Sequence, residues 1–349
     1  MASPRVLLTG ANGFIGSHII SHFLEKSVFV QAVVRSESKA KRVMSDFPSA
    51  DRTKLDFSIV PDITAPGAFD KAIQEALPLD AIVHTASPFL YDEGLKVEDL
   101  IKPAINGTSE ILKSTLKYGK GVKRVVVTSS FAAIGNPFDL QGNGRTYTSD
   151  DWNPITMEQA TAGNNLRLAY WGSKTLAEKA AWDFMKANNP DFELVVLNPP
   201  GVFGPLANSI DSLKDLGTSN AILYNTFMKS SKSTPVPPET LHITVDVRDL
   251  AIAHYQAAFA PGVGNQRFLV TQGGNTNQEI ADIVRKAVPE WDERIPLGNP
   301  GSHTLKPELL KADNTKSREV LGVDYRGFEE TIADSARNFY ELEKTLGQD

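Results

Sequence analysis

The 349-residue chain contains no cysteine, which removes disulfides, thiolate nucleophiles and cysteine-ligated zinc from consideration. It also lacks a basic excess: 36 lysines and arginines face 42 aspartates and glutamates, a formal net charge of −6. Without a cationic stripe, nucleic-acid binding through bulk charge is disfavoured, and any bound phosphate must be met locally. No apolar run approaches the roughly 18 residues that a membrane span needs. Residues 1–4 leave no room for a signal peptide before the first apolar run, so the expected address is the cytoplasm. There the single sequon, Asn106-Gly107-Thr108, is expected to carry no sugar. Internal repeats, low-complexity tracts and long charge blocks are absent too.

What is present describes an ordinary globular chain, 41% hydrophobic and 22% charged, of one large or two modest domains. Short β-rich runs occupy 5–9, 28–34, 55–60, 79–85, 122–128 and 192–197, alternating with helical patterns at 14–26, 37–47, 66–76, 97–118 and 167–188. Six strands alternating with helices predict an α/β fold, a doubly wound parallel sheet covered on both faces. The rhythm breaks after 205, and the proline-rich 233–239 reads as a connector. The expected organisation is a dinucleotide-binding Rossmann domain over 1–204, with 241–272 returning to it. A smaller lid region, drawn from 205–240 and 273–349, would cover the carboxyl edge of the sheet and bind substrate. The run 242–259 reads as a strand and helix rejoining the main domain.

Immediately after the first strand comes "TGANGFIGSH", with Gly10, Gly13 and Gly16 spaced by three. Glycines here permit a tight turn, let the main chain approach a diphosphate, and let the helix start pack close to the sheet. The helix N-terminus then offers free N–H groups to that diphosphate. A lone glycine pattern is weak evidence, but a whole βαβ unit around it favours a dinucleotide, with Asn12, Phe14 and Ile15 completing the cradle. At the end of the second strand, where an acidic residue would hold the ribose of NAD, the chain has Arg35, followed by Lys39. Both suit a 2′-phosphate, so NADPH is the expected cofactor. The alternative is a solvated basic helix start, because Lys41 and Arg42 follow.

Tyr170 and Lys174 lie four apart on the fifth predicted helix, hence on one face. A free tyrosine titrates near 10, too high for efficient proton exchange at neutrality. An ammonium about 4 Å away contributes on the order of 4 kcal/mol at an effective dielectric of 20, about three pKa units before desolvation opposes it. Ser129 and Ser130 end the fifth strand, at the edge where ligands of such folds bind, and a serine hydroxyl there can donate to a substrate carbonyl.

In order and spacing, Gly10-x-x-Gly13-x-x-Gly16, the serine after strand five and Tyr170-x-x-x-Lys174 resemble the extended short-chain dehydrogenases/reductases. "VDVRDLA" at 245–251 looks like that family's later segment. "HTASPF" (84–89), "KPAINGT" (102–108), "AEKAAWDF" (177–184) and "NPPGVFGP" (198–205) are most similar to fungal NADPH-dependent methylglyoxal reductases and related aldehyde and ketone reductases. The resemblance implies that Ser130, followed by Ala132-Ala133, is the family serine. It makes Tyr170 the proton donor and Lys174 the residue that holds the nicotinamide ribose. Asp62 and Ile63 would meet the adenine, Thr85, Ala86 and Ser87 would line the cofactor, and Pro200 and Val202 would flank the nicotinamide. Where many members carry an asparagine on the fourth helix, this chain has Ala104, with Asn106 off register.

Phe89 and Phe131, and less so Tyr91 and Phe203, follow strand ends and are candidates to line an apolar pocket for a small carbonyl substrate. His18 and His22 have metal-compatible spacing but no third ligand, so no metal is expected. His84 ends the fourth strand, as a pocket residue or a buried, hydrogen-bonded one. The expected function is NADPH-dependent reduction of aldehydes, ketones and α-dicarbonyls by a monomer or homodimer. The rivals are an NAD-retaining nucleotide-sugar epimerase or dehydratase, which Arg35 disfavours, and a non-catalytic dinucleotide sensor, which an intact Ser130, Tyr170 and Lys174 set disfavours.

Overall fold

The computed structural model describes residues 3–51, 53–87, 97–139, 142–240 and 242–347. The first half alternates as β1 (Arg5–Thr9), α1 (Phe14–Glu25), β2 (Phe29–Val34), α2 (Glu37–Asp46), β3 (Leu55–Ile59), α3 (Asp70–Ala76), β4 (Ala81–His84), α4 (Glu98–Tyr118) and β5 (Arg124–Thr128). A short β6 (Thr146–Tyr147) and α5 (Met157–Thr161) lead to the long α6 (Leu166–Asn188), then β7 (Glu193–Asn198) and β8 (Gly201–Phe203). The remainder comprises α7 (Thr218–Leu223), β9 (Ile243–Asp246), α8 (Val247–Phe259), β10 (Gln266–Leu269), β11 (Gly273–Gly274), α9 (Asn277–Ala287), β12 (Lys311–Ala312), α10 (Thr315–Glu319) and α11 (Phe328–Leu346).

Seven strands form a parallel sheet in the order β10-β7-β5-β4-β1-β2-β3. The order reverses between β1 and β4, where the connecting loops part and leave a crevice at the carboxyl edge. Period-two alternation covers both faces: Val6 and Leu8 pack with α1 and α8 residues such as Ile19, Phe23 and Leu250, while Leu7 packs with Ile73, Ile111 and Leu194 on the other side. Each such side chain, fully buried, stabilises the fold by about 1.5–3 kcal/mol. A further core gathers Leu223, Phe227, Ile280, Trp291, Ile332 and Phe339 from α7, α9, α11 and the segments between them.

The six expected strands all form, but the sheet has a seventh, β10, and the strand read at 242–246 is not in it. β9 pairs parallel with β8 and antiparallel with β11 in a separate three-stranded sheet, while α8 does pack against the main sheet. β10 is hidden in sequence because it carries Arg267, only 8% exposed. That charge is tolerated because Glu178 on α6 pairs with it at 2.5 Å and the Ser149 and Asp151 carbonyls accept from its guanidinium. The third helix begins at Asp70 rather than 66, because Gly67 takes a left-handed φ of +70° and turns the chain first.

Candidate active site

The glycine loop owes its shape to two of its three glycines. Gly10 has φ +71°, and a Cβ there would lie 2.5 Å from Thr85 Oγ1; a Cβ on Gly16 would lie 2.2 Å from the Gly10 carbonyl oxygen. Gly13 is different, since a Cβ on it would meet only the Gly10 oxygen at 3.3 Å. Its bare backbone instead keeps the mouth of α1 clear, and no side chain caps that helix. The Thr85 hydroxyl donates to the Thr9 carbonyl at 2.7 Å, and Ala86 N–H to Thr9 Oγ1 at 3.1 Å, tying the β4 loop to the β1 loop across the switch point.

These ties enclose a cleft of about 370 Å³. Gly10, Asn12, Gly13, Arg35, Asp62, Ile63, Thr85, Ala86 and Ser87 line it together. Exposed Arg35 has no ion pair among the described residues. Asp62 accepts from the hydroxyl and N–H of Thr64, bonds that hold its carboxyl below the usual range, with a small contribution from Arg35. Lys39 and Phe14 line a neighbouring cleft instead, between α2 and residues 206–217, which an Arg42–Asp211 ion pair spans. Ile15 lies against the sheet core and lines neither cleft.

Ser130, Phe131, Tyr170, Lys174, Pro200 and Gly201 border a second cavity of about 610 Å³. Tyr170 and Lys174 share one face of α6, with Lys174 Nζ 5.9 Å from the tyrosine ring centre. Lys174 also reaches towards the glycine cleft, donating to Ser87 Oγ at 3.3 Å, so the residue stands where the two spaces meet. Burial pushes its ammonium down to about 8. Behind it lies a space of about 20 Å³ bordered by His84, Ala104, Thr108 and Ser129, room for about one water. Asn106 is exposed on α4, away from this space.

The paired serines are separated by their partners. Ser129 donates to Glu178 at 2.5 Å, and Glu178 also takes Asn198 Nδ2 at 2.7 Å and Arg267. This buried network anchors the end of β5. Asn198 Nδ2 donates as well to the Ser130 carbonyl, while Ser130 Oγ caps the next turn by accepting from Ala132 N–H and lines the cavity. Breaking a buried ionic network of this kind by removing one partner costs about 3–5 kcal/mol.

Phe131 is a wall of the cavity and only 1% exposed, held edge-on by Tyr147 and Trp171. Val202 packs in the sheet core, and its neighbour Gly201 takes the lining position. Phe203 lines a further space described below. Phe89 and Tyr91 lie outside the described residues. His84 is buried, shares a 2.9 Å hydrogen bond with Thr9 Oγ1, and is held neutral, with burial pushing it down to about 3. His18 Nε2 bonds the Pro205 carbonyl, and His22 stands edge-on to Tyr255. Residue-by-residue reading missed Arg167, Thr218, Ser219, Ile222 and Thr240 on the cavity wall. Arg167, one turn before Tyr170, had a helical-spacing signal; the others had none.

A reversing parallel sheet with a glycine cradle and a tyrosine–lysine helix at its carboxyl edge is the frame of the extended short-chain dehydrogenases/reductases. The chain belongs to the NAD dependent epimerase/dehydratase family, whose model matches residues 6–222. It is 37% identical over 343 residues to the NADPH-dependent methylglyoxal reductase of Saccharomyces cerevisiae, covering 97% of this chain and 98% of that one. It is 36% identical over 339 residues to a ketoreductase of Aspergillus niger, covering 97% and 98%. The crystal structure of the yeast methylglyoxal/isovaleraldehyde reductase Gre2 complexed with NADPH superposes with a TM-score of 0.88 at 36% identity, covering 97% of this chain and 99% of that one. Among the described residues no helix is long and apolar enough to cross a membrane.

Proposed function

We propose that the chain is an NADPH-dependent carbonyl reductase that converts aldehydes, ketones and α-dicarbonyls to alcohols. The observation that carries this reading is the placement of Lys174, which lines the cavity that Tyr170 and Ser130 share and donates to Ser87 in the wall of the glycine cleft. Cofactor chemistry and proton chemistry thereby meet at one point. The cleft fits a dinucleotide: Gly13 leaves space where a side chain would intrude, α1 presents an uncapped N-terminus for a diphosphate, and Arg35 is a free cation for a 2′-phosphate.

Bound NADPH supplies the hydride. The chain's own residues do the rest. Ser130 Oγ donates to the substrate oxygen and fixes it, and Tyr170 gives that oxygen its proton as negative charge develops there. Lys174, positively charged when the cofactor ribose and phosphates are near, favours tyrosinate and so lowers the cost of that transfer. The proton returns to Tyr170 by way of Lys174 and the one-water space behind it, a route that does not need an asparagine at position 104. The apolar walls, Phe131 and Trp171, exclude water from the reacting carbon. A small-molecule substrate, a cytoplasmic setting and a monomeric or homodimeric state complete the proposal.

Purified protein should oxidise NADPH in the presence of methylglyoxal or a simple aryl ketone, with NADH a poorer donor. Absence of turnover with every carbonyl tried, or tightly retained NAD with nucleotide-sugar turnover, would overturn the reading.

A further inference from the structure

The reaction cavity does not end at its own walls. Gly201, Ser219, Ile222 and Thr240 also border a second chamber of about 290 Å³ that runs inward between α7 and α9. The rest of its lining includes Phe203, Leu223, Phe227, Ile280 and Phe328, residues of the core that joins α7, α9 and α11, so one side of the chamber is built from that core.

The chamber differs chemically from the cavity that feeds it. The reaction cavity holds the cations Arg167 and Lys174, whereas among the described residues no charged side chain lines the chamber. Its amide and imidazole N–H donors are engaged elsewhere, and the hydroxyls of Ser219, Thr226 and Thr240 also stand in the wall. Asn277 Nδ2 donates to the Pro237 and Pro238 carbonyls at 3.1 and 3.2 Å, and Asn275 Nδ2 to Thr244 Oγ1 at 3.0 Å. His242 Nε2 donates to the Leu310 carbonyl at 2.8 Å; that carbonyl can only accept, so the remaining nitrogen, Nδ1, is a bare acceptor buried behind the surface. With no charge and six of its larger side chains apolar, Phe203, Ile222, Leu223, Phe227, Ile280 and Phe328, the wall suits an apolar occupant.

We infer that the chamber is a subsite for the hydrocarbon tail of an elongated ketone or aldehyde whose carbonyl is held by Ser130 and Tyr170. The inference rests on the reductase reading above and sharpens it. Gly201, Ser219, Ile222 and Thr240 are common to both spaces, so a long substrate whose carbonyl sits at Ser130 and Tyr170 can extend past Ile222 into the chamber. The preferred substrates are therefore alkyl or aryl-alkyl carbonyls, and a small α-dicarbonyl such as methylglyoxal leaves the chamber unfilled.

The test is a homologous series of straight-chain methyl ketones from butan-2-one to decan-2-one, run with NADPH on the wild type and on Thr226→Trp. Thr226, just after α7, lines the chamber but not the reaction cavity and is half-buried, so a larger side chain there would take up chamber space. The wild-type kcat/KM should rise roughly threefold to fourfold per methylene once the tail passes Ile222, as expected for burying a methylene, then level off. In Thr226→Trp the rise should stop several carbons earlier, while methylglyoxal turnover stays within about twofold and certifies the fold. A flat series in the wild type, or an unchanged slope in a variant that still turns over methylglyoxal, overturns the subsite. Failure of every carbonyl in the wild type, methylglyoxal included, overturns the reductase reading and the subsite with it.

Discussion

The glycine cleft and the apolar chamber both adjoin the reaction cavity, the first through the Lys174–Ser87 hydrogen bond and the second through shared wall residues, and they are built by opposite means. The cleft is framed by main chain at the ends of neighbouring strands, above all by the loop after β1, whose glycines are dictated by a 2.2 Å approach and a positive φ. The chamber is made of side chains from α7, the 237–244 stretch, α9 and α11, which are brought together only by folding. A phosphate-bearing ligand common to a whole family is met by backbone, which any member can keep. A variable substrate is met by side chains, which each member can change.

The comparison breaks first at the glycines. Gly16→Ala places a methyl against the Gly10 carbonyl and should lower Tm by many degrees, whereas Gly13→Ala should keep the fold and weaken NADPH binding at least tenfold, read by circular dichroism and by NADPH fluorescence titration. If Gly13→Ala binds NADPH normally, the bare backbone at that position is not a ligand surface.

Arg35→Asp sharpens the same contrast from the cofactor side. Loss of one charge-assisted contact, about 1.5–3 kcal/mol, should reduce kcat/KM for NADPH roughly tenfold to a hundredfold and leave NADH nearly unchanged. Equal losses with both cofactors would place Arg35 outside the 2′-phosphate site.

A smaller effect belongs to the sheet that supports both regions. His254 on α8 donates Nδ1 to the Leu250 carbonyl and accepts the Thr128 hydroxyl at Nε2, each at 2.7 Å, and burial holds it neutral, pushed down from 6.5 to about 4. The unfolded chain takes up a proton there below 6.5 and the folded one does not. The stabilisation is therefore present above pH 6.5 and is lost as pH falls through 4. Thermal unfolding across that window should show wild type losing Tm faster than His254→Gln, and parallel curves would contradict it.

The same division explains what could be read in advance. Alternating apolar runs revealed six strands and most helix limits, because local periodicity alone decides them. β10 was concealed by Arg267, whose place in a strand depends on Glu178, 89 residues away. The cleft residues were legible as a contiguous motif and its β2 and β4 counterparts. Ser219, Ile222 and Thr240 were not, since a helix as short as α7 and the stretch beyond the proline-rich connector carry no periodicity that says which cavity they will face. Of the adjacent hydroxyls, the resemblance singled out Ser130, and the hydrogen bond from Ser129 to Glu178 gives the physical reason the first is engaged elsewhere.

The central claim, that Tyr170 delivers the proton at the junction governed by Lys174, is tested most directly by Tyr170→Phe. NADPH affinity should stay within about twofold of wild type, because the cleft is intact, while kcat with methylglyoxal falls by roughly 10²–10⁴. Turnover at the wild-type rate, with the cofactor bound as before, would contradict the account.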